Sequence, residues 1–306
     1  MTAPYLSLAP LVAWRGLPRP LDWPALFGRS APLELEIGCG NGEVLVRRAL
    51  ARPGLNLVGL DEDWLSARRS LRRINLAGAA NVRLLQAEAG LALERLFAPE
   101  SLGRAACFFP RPWPRPREAG RRLLNRRFLR LLGSRLAPGG SLRVLTDAVA
   151  YAQWVLEQAA GSGFTARARR VPPGLDSKYE RKWQGQGQQE FYELTLEKTE
   201  HLTWPNPEEP RLHYPRLESF DPARLAPFED WGPISVLCKD VLYDPAQGRA
   251  LLRMVVLEEG LEQSFYLEVL PEADGHLLRP APGCGLLPSL GVQRALKVAA
   301  ARLQGE

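Results

Sequence analysis

The ten residues Leu33-Glu34-Leu35-Glu36-Ile37-Gly38-Cys39-Gly40-Asn41-Gly42 leave few folds open. A short apolar run ends in an acid and a Gly-x-Gly-x-Gly turn, and a helical pattern follows. The next apolar run, Asn56-Leu57-Val58-Gly59-Leu60, ends in Asp61. Strand, glycine turn, helix, strand and terminal acid make the nucleoside-binding half of an open α/β sheet. Glycines let backbone approach the ligand, and an acid closing the second strand can hold two ribose hydroxyls. A dinucleotide turn reads G-x-G-x-x-G, so that its last glycine meets a pyrophosphate. Here the third glycine comes one residue early and Glu36 precedes the turn, which favours the cationic S-adenosylmethionine as cofactor. The bland alternative is a tight turn that binds nothing.

The rest of the first two-thirds repeats this alternation. Strands are expected at 33–37, 56–60, 82–86, 105–109, 141–146 and 164–169, with helices at about 42–51, 64–77, 123–136 and 148–160. Such alternation implies a mainly parallel, doubly wound sheet. A last strand, 190–196, is expected as an antiparallel edge. Beyond Lys198 the texture changes. Residues 201–232 are Pro-rich and read as a linker. Residues 233–306 carry three strand patterns, Ile234–Tyr243, Arg249–Glu258 and Glu262–Leu270, with turns at 244–248 and at Glu259-Gly260, then a helix at about 289–303. The expected organisation is a doubly wound α/β domain over 1–200, a linker over 201–232, and a small α+β module over 233–306, accessory or dimer-forming.

The chain of 306 residues is 45% hydrophobic, enough for real cores. No apolar run reaches the roughly 18 residues of a membrane span. The segment Met1-Thr-Ala-Pro-Tyr-Leu-Ser-Leu-Ala-Pro lacks a basic leader and an apolar core, so a cytoplasmic protein is expected. Cys39, Cys107, Cys238 and Cys284 are scattered without C-x-x-C spacing, which reads as reduced thiols and no metal site. Charge is uneven. Residues 1–200 carry 30 basic and 19 acidic side chains, and residues 201–306 carry 10 and 15. Between Arg111 and Arg130 lie eight arginines and one acid, Glu118. Only five of the 40 basic residues are lysine, so coding bias accounts for arginine over lysine but not for the clustering. A polyanionic partner for the first half follows, because guanidinium forks grip phosphates bidentately.

Further candidates fall at the carboxyl ends of strands, where open α/β sheets bind ligands. Glu88 follows the third strand and is read either as an acceptor for an adenine amino group or as a helix N-terminal charge. The fourth strand runs into Phe108-Phe109-Pro110-Arg111-Pro112-Trp113-Pro114, a Pro-stiffened aromatic turn suited to a methyl acceptor. Trp113 is read as a base-stacking platform or as a core plug. Asp147 closes the fifth strand. Asp176-Ser177-Lys178-Tyr179-Glu180-Arg181-Lys182 is read as a loop, suited to base edges or simply a charged surface.

Taken in order, LEIGCGNGE, VGLDE, NVRLLQAEA, FFPRPWPRPR, APGG…LTD and SKYERK resemble the bacterial tRNA (guanine-N7-)-methyltransferases over roughly residues 30–198. The resemblance implies a class I methyltransferase fold, S-adenosylmethionine as methyl donor, and tRNA methylated on a variable-loop guanosine. It implies that Glu36, Gly38, Gly40, Asp61 and Glu88 bind the cofactor. It also implies that Asp147, Ser177, Lys178, Tyr179 and Glu180 contact the guanosine, and Asp147 and Glu180 are expected to hold the base for catalysis. Arg115 and Arg117 stand where the family has basic substrate contacts.

The chain departs from the pattern at Arg111, where the family carries an acid thought to serve catalysis, and Ser177 replaces the usual Thr. Guanine N7 has a lone pair and no proton, so no general base is needed, and the chain has no histidine before His201. Arg111 is therefore expected to point outward to phosphate or to pair with an acid. The rival reading is a methyltransferase-like tRNA-binding protein that has lost turnover. A small-molecule methyltransferase is a third, which the clustered arginines disfavour. Monomer and homodimer both remain open.

Overall fold

Residues 33–37 are apolar except for Glu34 and Glu36, and this strand, β1 (Leu33–Ile37), is buried throughout. It pairs in parallel with β2 (Asn56–Asp61) on one side and β4 (Leu102–Phe108) on the other. β3 (Val82–Gln86) extends the sheet beyond β2, and β5 (Leu136–Thr146) extends it beyond β4. β6 (Phe164–Val171) and β7 (Phe191–Lys198) complete a seven-stranded sheet of order β3-β2-β1-β4-β5-β7-β6. The reversal between β1 and β4 is the switch point at which a crevice opens beyond the strand ends. The computed structural model describes residues 6–205, 209–258 and 260–305. Residues 1–5, the middle of the Pro-rich stretch, Glu259 of the Glu259-Gly260 turn and Glu306 lie outside the described residues.

Helices fill the crossovers. After α1 (Trp23–Phe27) come α2 (Glu43–Ala51), α3 (Trp64–Ala77), α4 (Ala89–Leu96), α5 (Arg126–Arg135), α6 (Val149–Ala159) and α7 (Lys178–Gln184). α2 packs on α3, α4 on α5, and α5 on α6. Starts and stops follow local chemistry. Asp63, Asn125 and Ser177 cap α3, α5 and α7 through their side-chain oxygens, and Gly78 ends α3 in the left-handed region at φ 61°.

Two expectations are corrected. The last strand, β7, is antiparallel but lies inside the sheet, between β5 and β6. Its Phe191, Leu194 and Leu196 are fully buried. The edge falls to β6, whose Arg167, Arg169 and Arg170 are exposed, the charged habit of edge strands. The segment read as a charged loop instead enters α7.

The described part of the second unit, Pro207–Glu306, is a six-stranded antiparallel sheet of order β8-β13-β12-β11-β10-β9. The strands are β8 (Arg216–Leu217), β9 (Phe228–Asp230), β10 (Ser235–Asp244), β11 (Arg249–Glu258), β12 (Leu261–Glu272) and β13 (Gly275–Pro280), and α8 (Leu290–Gln304) packs on the sheet. A Cβ on Gly291 would stand 2.3 Å from Val256 Cγ1, so only glycine lets the start of α8 approach β11 this closely. The stretch read as a linker supplies both edge strands, β8 and β9, where proline is tolerated because no ladder donor is lost. Among the described residues no helix is long and apolar enough to cross a membrane. The four cysteines are free thiols.

Candidate active site

A cavity of about 410 Å³ opens beyond the carboxyl ends of β1 to β4, within the range of sites that hold small molecules. One wall is the glycine turn with Asp61 and Glu88, and the other is Phe109, Arg111, Trp113, Arg121 and Tyr179. A second cavity, of about 510 Å³, lies at the opposite ends of the strands near Pro32, Gly54 and Gly103. It is shallow and gathers none of the chemistry above, so the smaller cavity is the site.

The first wall is fixed by sheet register and by one peptide held at both ends. The Gly40 N–H donates to Asp61 Oδ2 at 2.8 Å, and Ser70 Oγ donates to the Gly40 carbonyl at 2.8 Å. Asp61 Oδ1 accepts from the Asp63 N–H at 3.1 Å. Burial raises the Asp61 carboxyl above its ordinary range, and the Gly40 amide draws it back. Gly38 and Gly40 have φ of 69° and 57°, and a Cβ on either would meet nothing within 4 Å. The turn therefore presents bare backbone to open space, the cradle that a nucleoside ligand requires. Residues and cavity fit S-adenosylmethionine.

Glu36 is placed differently from the expectation. It is buried, lies outside the cavity wall, and pairs with Arg48 at 3.2 Å. Burial pushes its carboxyl up to about 7, against the pull of the Arg48 guanidinium. Arg48 also pairs with Glu34, and Arg52 lies 3.7 Å from Glu34. The signal was present but missed. Residues two apart on a strand share a face, residues four apart on a helix share a face, and two buried acids need cations. Glu88 lines the cavity while both its carboxylate oxygens accept from backbone, Gly90 N–H at 2.8 Å and Leu91 N–H at 2.7 Å. It caps α4, and the helix-charge reading is the one its geometry satisfies.

The second wall is built from loops. Phe109 and Trp113 sit at φ of 52° and 42°, a region costly to residues with side chains and characteristic of functional sites. Arg122 pins the turn, its Nε donating to the Pro112 carbonyl at 3.0 Å and its Nη2 to the Trp113 carbonyl at 3.1 Å. Its guanidinium also lies 5.0 Å from the Trp154 ring centroid. Phe109 packs edge-on against Phe191 at 5.7 Å and beside Tyr179 at 6.2 Å. Trp113 is half-buried in the wall, neither a core plug nor a free platform.

Of the segment 177–180, only Tyr179 reaches the cavity wall. Ser177 is the cap of α7, its Oγ accepting from the Glu180 N–H at 3.1 Å. Glu180 is 2% exposed. Its carboxylate accepts from Gly174 at 2.9 Å, from Leu175 at 3.1 Å and from Asp176. It holds its own loop, three backbone amides donating to it locally. The Lys178 backbone N–H donates to Glu43 on α2 at 3.1 Å, and Arg181 bridges Glu43 at 2.8 Å and Asp176 at 2.7 Å. Asp147 is half-buried one residue past β5, outside the cavity wall. Arg115 pairs with Glu118 at 3.8 Å and Arg117 is exposed, and neither lines the cavity.

A family model described as "Putative methyltransferase" matches residues 30–193. The tRNA (guanine-N(7)-)-methyltransferase of Thermus thermophilus is 34% identical over 83% of this chain and 84% of its own length. The first unit holds 206 of the 306 residues, so that likeness continues into the second. The protein of the same name from Bordetella parapertussis is 46% identical over 47% of this chain, which spans 57% of that relative. The Cutibacterium acnes relative, again of that name, is 36% identical over 60% of this chain and 66% of its own length. With the switch-point cavity, the bare glycine turn and the aromatic turn after β4 all in place, the chain belongs to the bacterial tRNA (guanine-N(7)-)-methyltransferase family.

Proposed function

We propose that the chain transfers a methyl group from S-adenosylmethionine to N7 of a variable-loop guanosine in tRNA. The observation that carries this is one cavity walled on one side by the glycine turn and Asp61, and on the other by Trp113, Tyr179 and arginine. Gly38, Gly40 and Asp61 hold the cofactor in this reading, Asp61 through the ribose hydroxyls. S-adenosylmethionine, when bound, supplies an electrophilic methyl on a sulfonium centre. Glu36 acts from beneath the turn, and Glu88 offers the lone pairs its helix cap leaves over.

Guanine N7 carries a lone pair and no proton, so the chain has no nucleophile to activate. Its work is positioning, which supplies about 7–11 kcal/mol when reactants are well oriented. Tyr179 and Trp113 frame the base, Asp147 past the end of β5 takes its N1 and N2 donors, and Glu180 acts by shaping the loop that carries Ser177, Lys178 and Tyr179. Residues 1–200 carry the reaction and 233–306 serve as an accessory module of a cytoplasmic enzyme.

The test is methyl transfer from labelled S-adenosylmethionine to unmethylated tRNA transcripts, with the modified nucleoside identified by mass spectrometry. N7-methylguanosine is expected. Salt-sensitive tRNA binding without product would favour the second reading, a binding protein without turnover, which the Arg111 departure motivates.

A further inference from the structure

We infer that Arg111 and Arg121 form an anion subsite at the cavity mouth that takes a backbone phosphate of the target nucleotide. The inference rests on tRNA being the substrate and adds what position 111 does in this chain. Four observations converge on these two side chains.

First, both line the cavity, and both lie on the Trp113 ring, with Cζ atoms 6.0 Å and 5.2 Å from its centroid. Trp113 itself sits on a turn that Arg122 pins through two carbonyls. The two guanidinia are thus presented from a fixed ring and a fixed backbone. Second, both are exposed and, among the described residues, neither makes an ion pair with a carboxylate. Their neighbours are spent otherwise, Arg115 on Glu118 and Arg122 on backbone carbonyls. Third, the cavity is bipolar. Asp61, Glu62, Asp63 and Glu88 line the glycine-turn side, and Arg111 with Arg121 lines the other. An anion entering it is driven to the arginine side.

Fourth, the charge balance of the reaction asks for it. Methylation at N7 leaves a cationic base, and an uncompensated guanidinium beside it would oppose the reaction. A phosphodiester on Arg111 and Arg121 brings one negative charge with the substrate, which offsets one of the two guanidinium charges, at two donors suited to bidentate grip. The expectation that Arg111 turns outward to phosphate or finds an acid is met in one respect: it is exposed, yet it stays on the cavity wall, where no carboxylate among the described residues pairs with it.

The anion has one rival source, the carboxylate of the cofactor's amino-acid end, and the experiment separates the two. Equilibrium binding of the full chain to tRNA is measured across a salt series for wild type, Arg111→Gln, Arg121→Gln and the double variant, alongside S-adenosylmethionine affinity. Each single substitution is expected to weaken tRNA binding about tenfold, and the double substitution to reduce the log–log salt slope by about 0.7–0.9, the value for one phosphate contact. Cofactor affinity is expected to move less than twofold. A second arm places a neutral methylphosphonate at either phosphate flanking the target guanosine. One of the two should weaken wild type as much as the double substitution does, and weaken the double variant no further. Unchanged salt slopes, or methylphosphonate effects that add fully to the substitution, overturn the proposal. A loss confined to cofactor affinity overturns it too and assigns the arginines to the cofactor carboxylate. If wild type makes N7-methylguanosine while the slopes stay unchanged, only the subsite fails. If it makes none, the enzyme reading fails while the binding arms still decide the subsite.

Discussion

The two walls of the cavity are held by different means. On the glycine-turn side, contacts run between neighbouring strands and their helices. Asp61 at the end of β2 takes the Gly40 amide, Ser70 of α3 takes the Gly40 carbonyl, and β1 and β2 are locked in register from Leu33 to Ile37. On the aromatic side, no strand pairing fixes the backbone beyond Phe109. Side chains do it, Arg122 gripping carbonyls after β4 and Glu180 gripping three amides before α7. A sheet edge can leave its polar side chains to a ligand. A loop must use some of its own to hold itself, because its buried backbone groups need partners.

If the comparison is right, damage to one wall should spare the ligand of the other. The largest effect is expected at Asp61→Ala, which removes the proposed ribose acceptor and frees the Gly40 amide. Charge-assisted hydrogen bonds contribute about 1.5–3 kcal/mol each. S-adenosylmethionine affinity should fall two to three orders of magnitude, as read by calorimetry, with tRNA affinity within threefold. Equal losses for both ligands would break the separation. Next is Glu180→Ala, which strands three amides at about 1–3 kcal/mol apiece before relaxation. kcat/KM for tRNA should drop about thirtyfold while cofactor affinity holds, and Glu180→Gln, which keeps one acceptor, should recover part of the loss. If Gln proved as damaging as Ala, a direct contact between Glu180 and the base would be the better account.

A third effect sharpens the picture of what lies beneath the glycine turn. The Glu36 carboxyl stands at about 7 in the folded chain against an ordinary 4.5. Between those values the folded chain keeps a proton that the unfolded chain has released. Stability from this group is therefore complete below pH 4.5 and is lost as pH rises through 7. Wild type should lose about 2 kcal/mol of unfolding free energy from this source between pH 5 and pH 8, read by urea melts at each pH. Glu36→Gln should lack that loss. A difference between the two proteins that stays constant with pH would mean that Arg48 keeps Glu36 ionised throughout.

The same contrast explains what could be read from the residues. Strand, turn and acid announced β1, β2 and their cavity edge because short, largely apolar runs and glycine spacing are local signals. α3 falls at 64–77, as expected. The position of β7 inside the sheet was hidden, since pairing order depends on which strand buries its face, and that is a tertiary matter. On the aromatic side the residue types were right and their partners were not. Glu180, Arg122 and Ser177 have the chemistry of substrate contacts, and the fold turns all three on their own backbone. The Ser177-Lys178-Tyr179-Glu180 spacing carried the correction in plain view, for Ser-x-x-Glu is the signature of a helix start.

The smallest expected effect tests whether Arg122 belongs with the wall or with the substrate. It sits in the arginine cluster, and its sequence neighbours Arg111 and Arg121 face the cavity, so a phosphate contact would be the natural assumption. Its donors, however, are taken by Pro112 and Trp113, and its face by Trp154 at 5.0 Å. Arg122→Gln should lower kcat/KM for tRNA about tenfold, the worth of roughly one hydrogen bond to a charged donor, by letting the Trp113 turn relax from its left-handed backbone. The salt slope of tRNA binding should not move, because no phosphate contact is lost with it. A slope lowered by about 0.7–0.9 would instead place Arg122 on the nucleic acid and return the whole run from Arg111 to Arg127 to a single phosphate-gripping face.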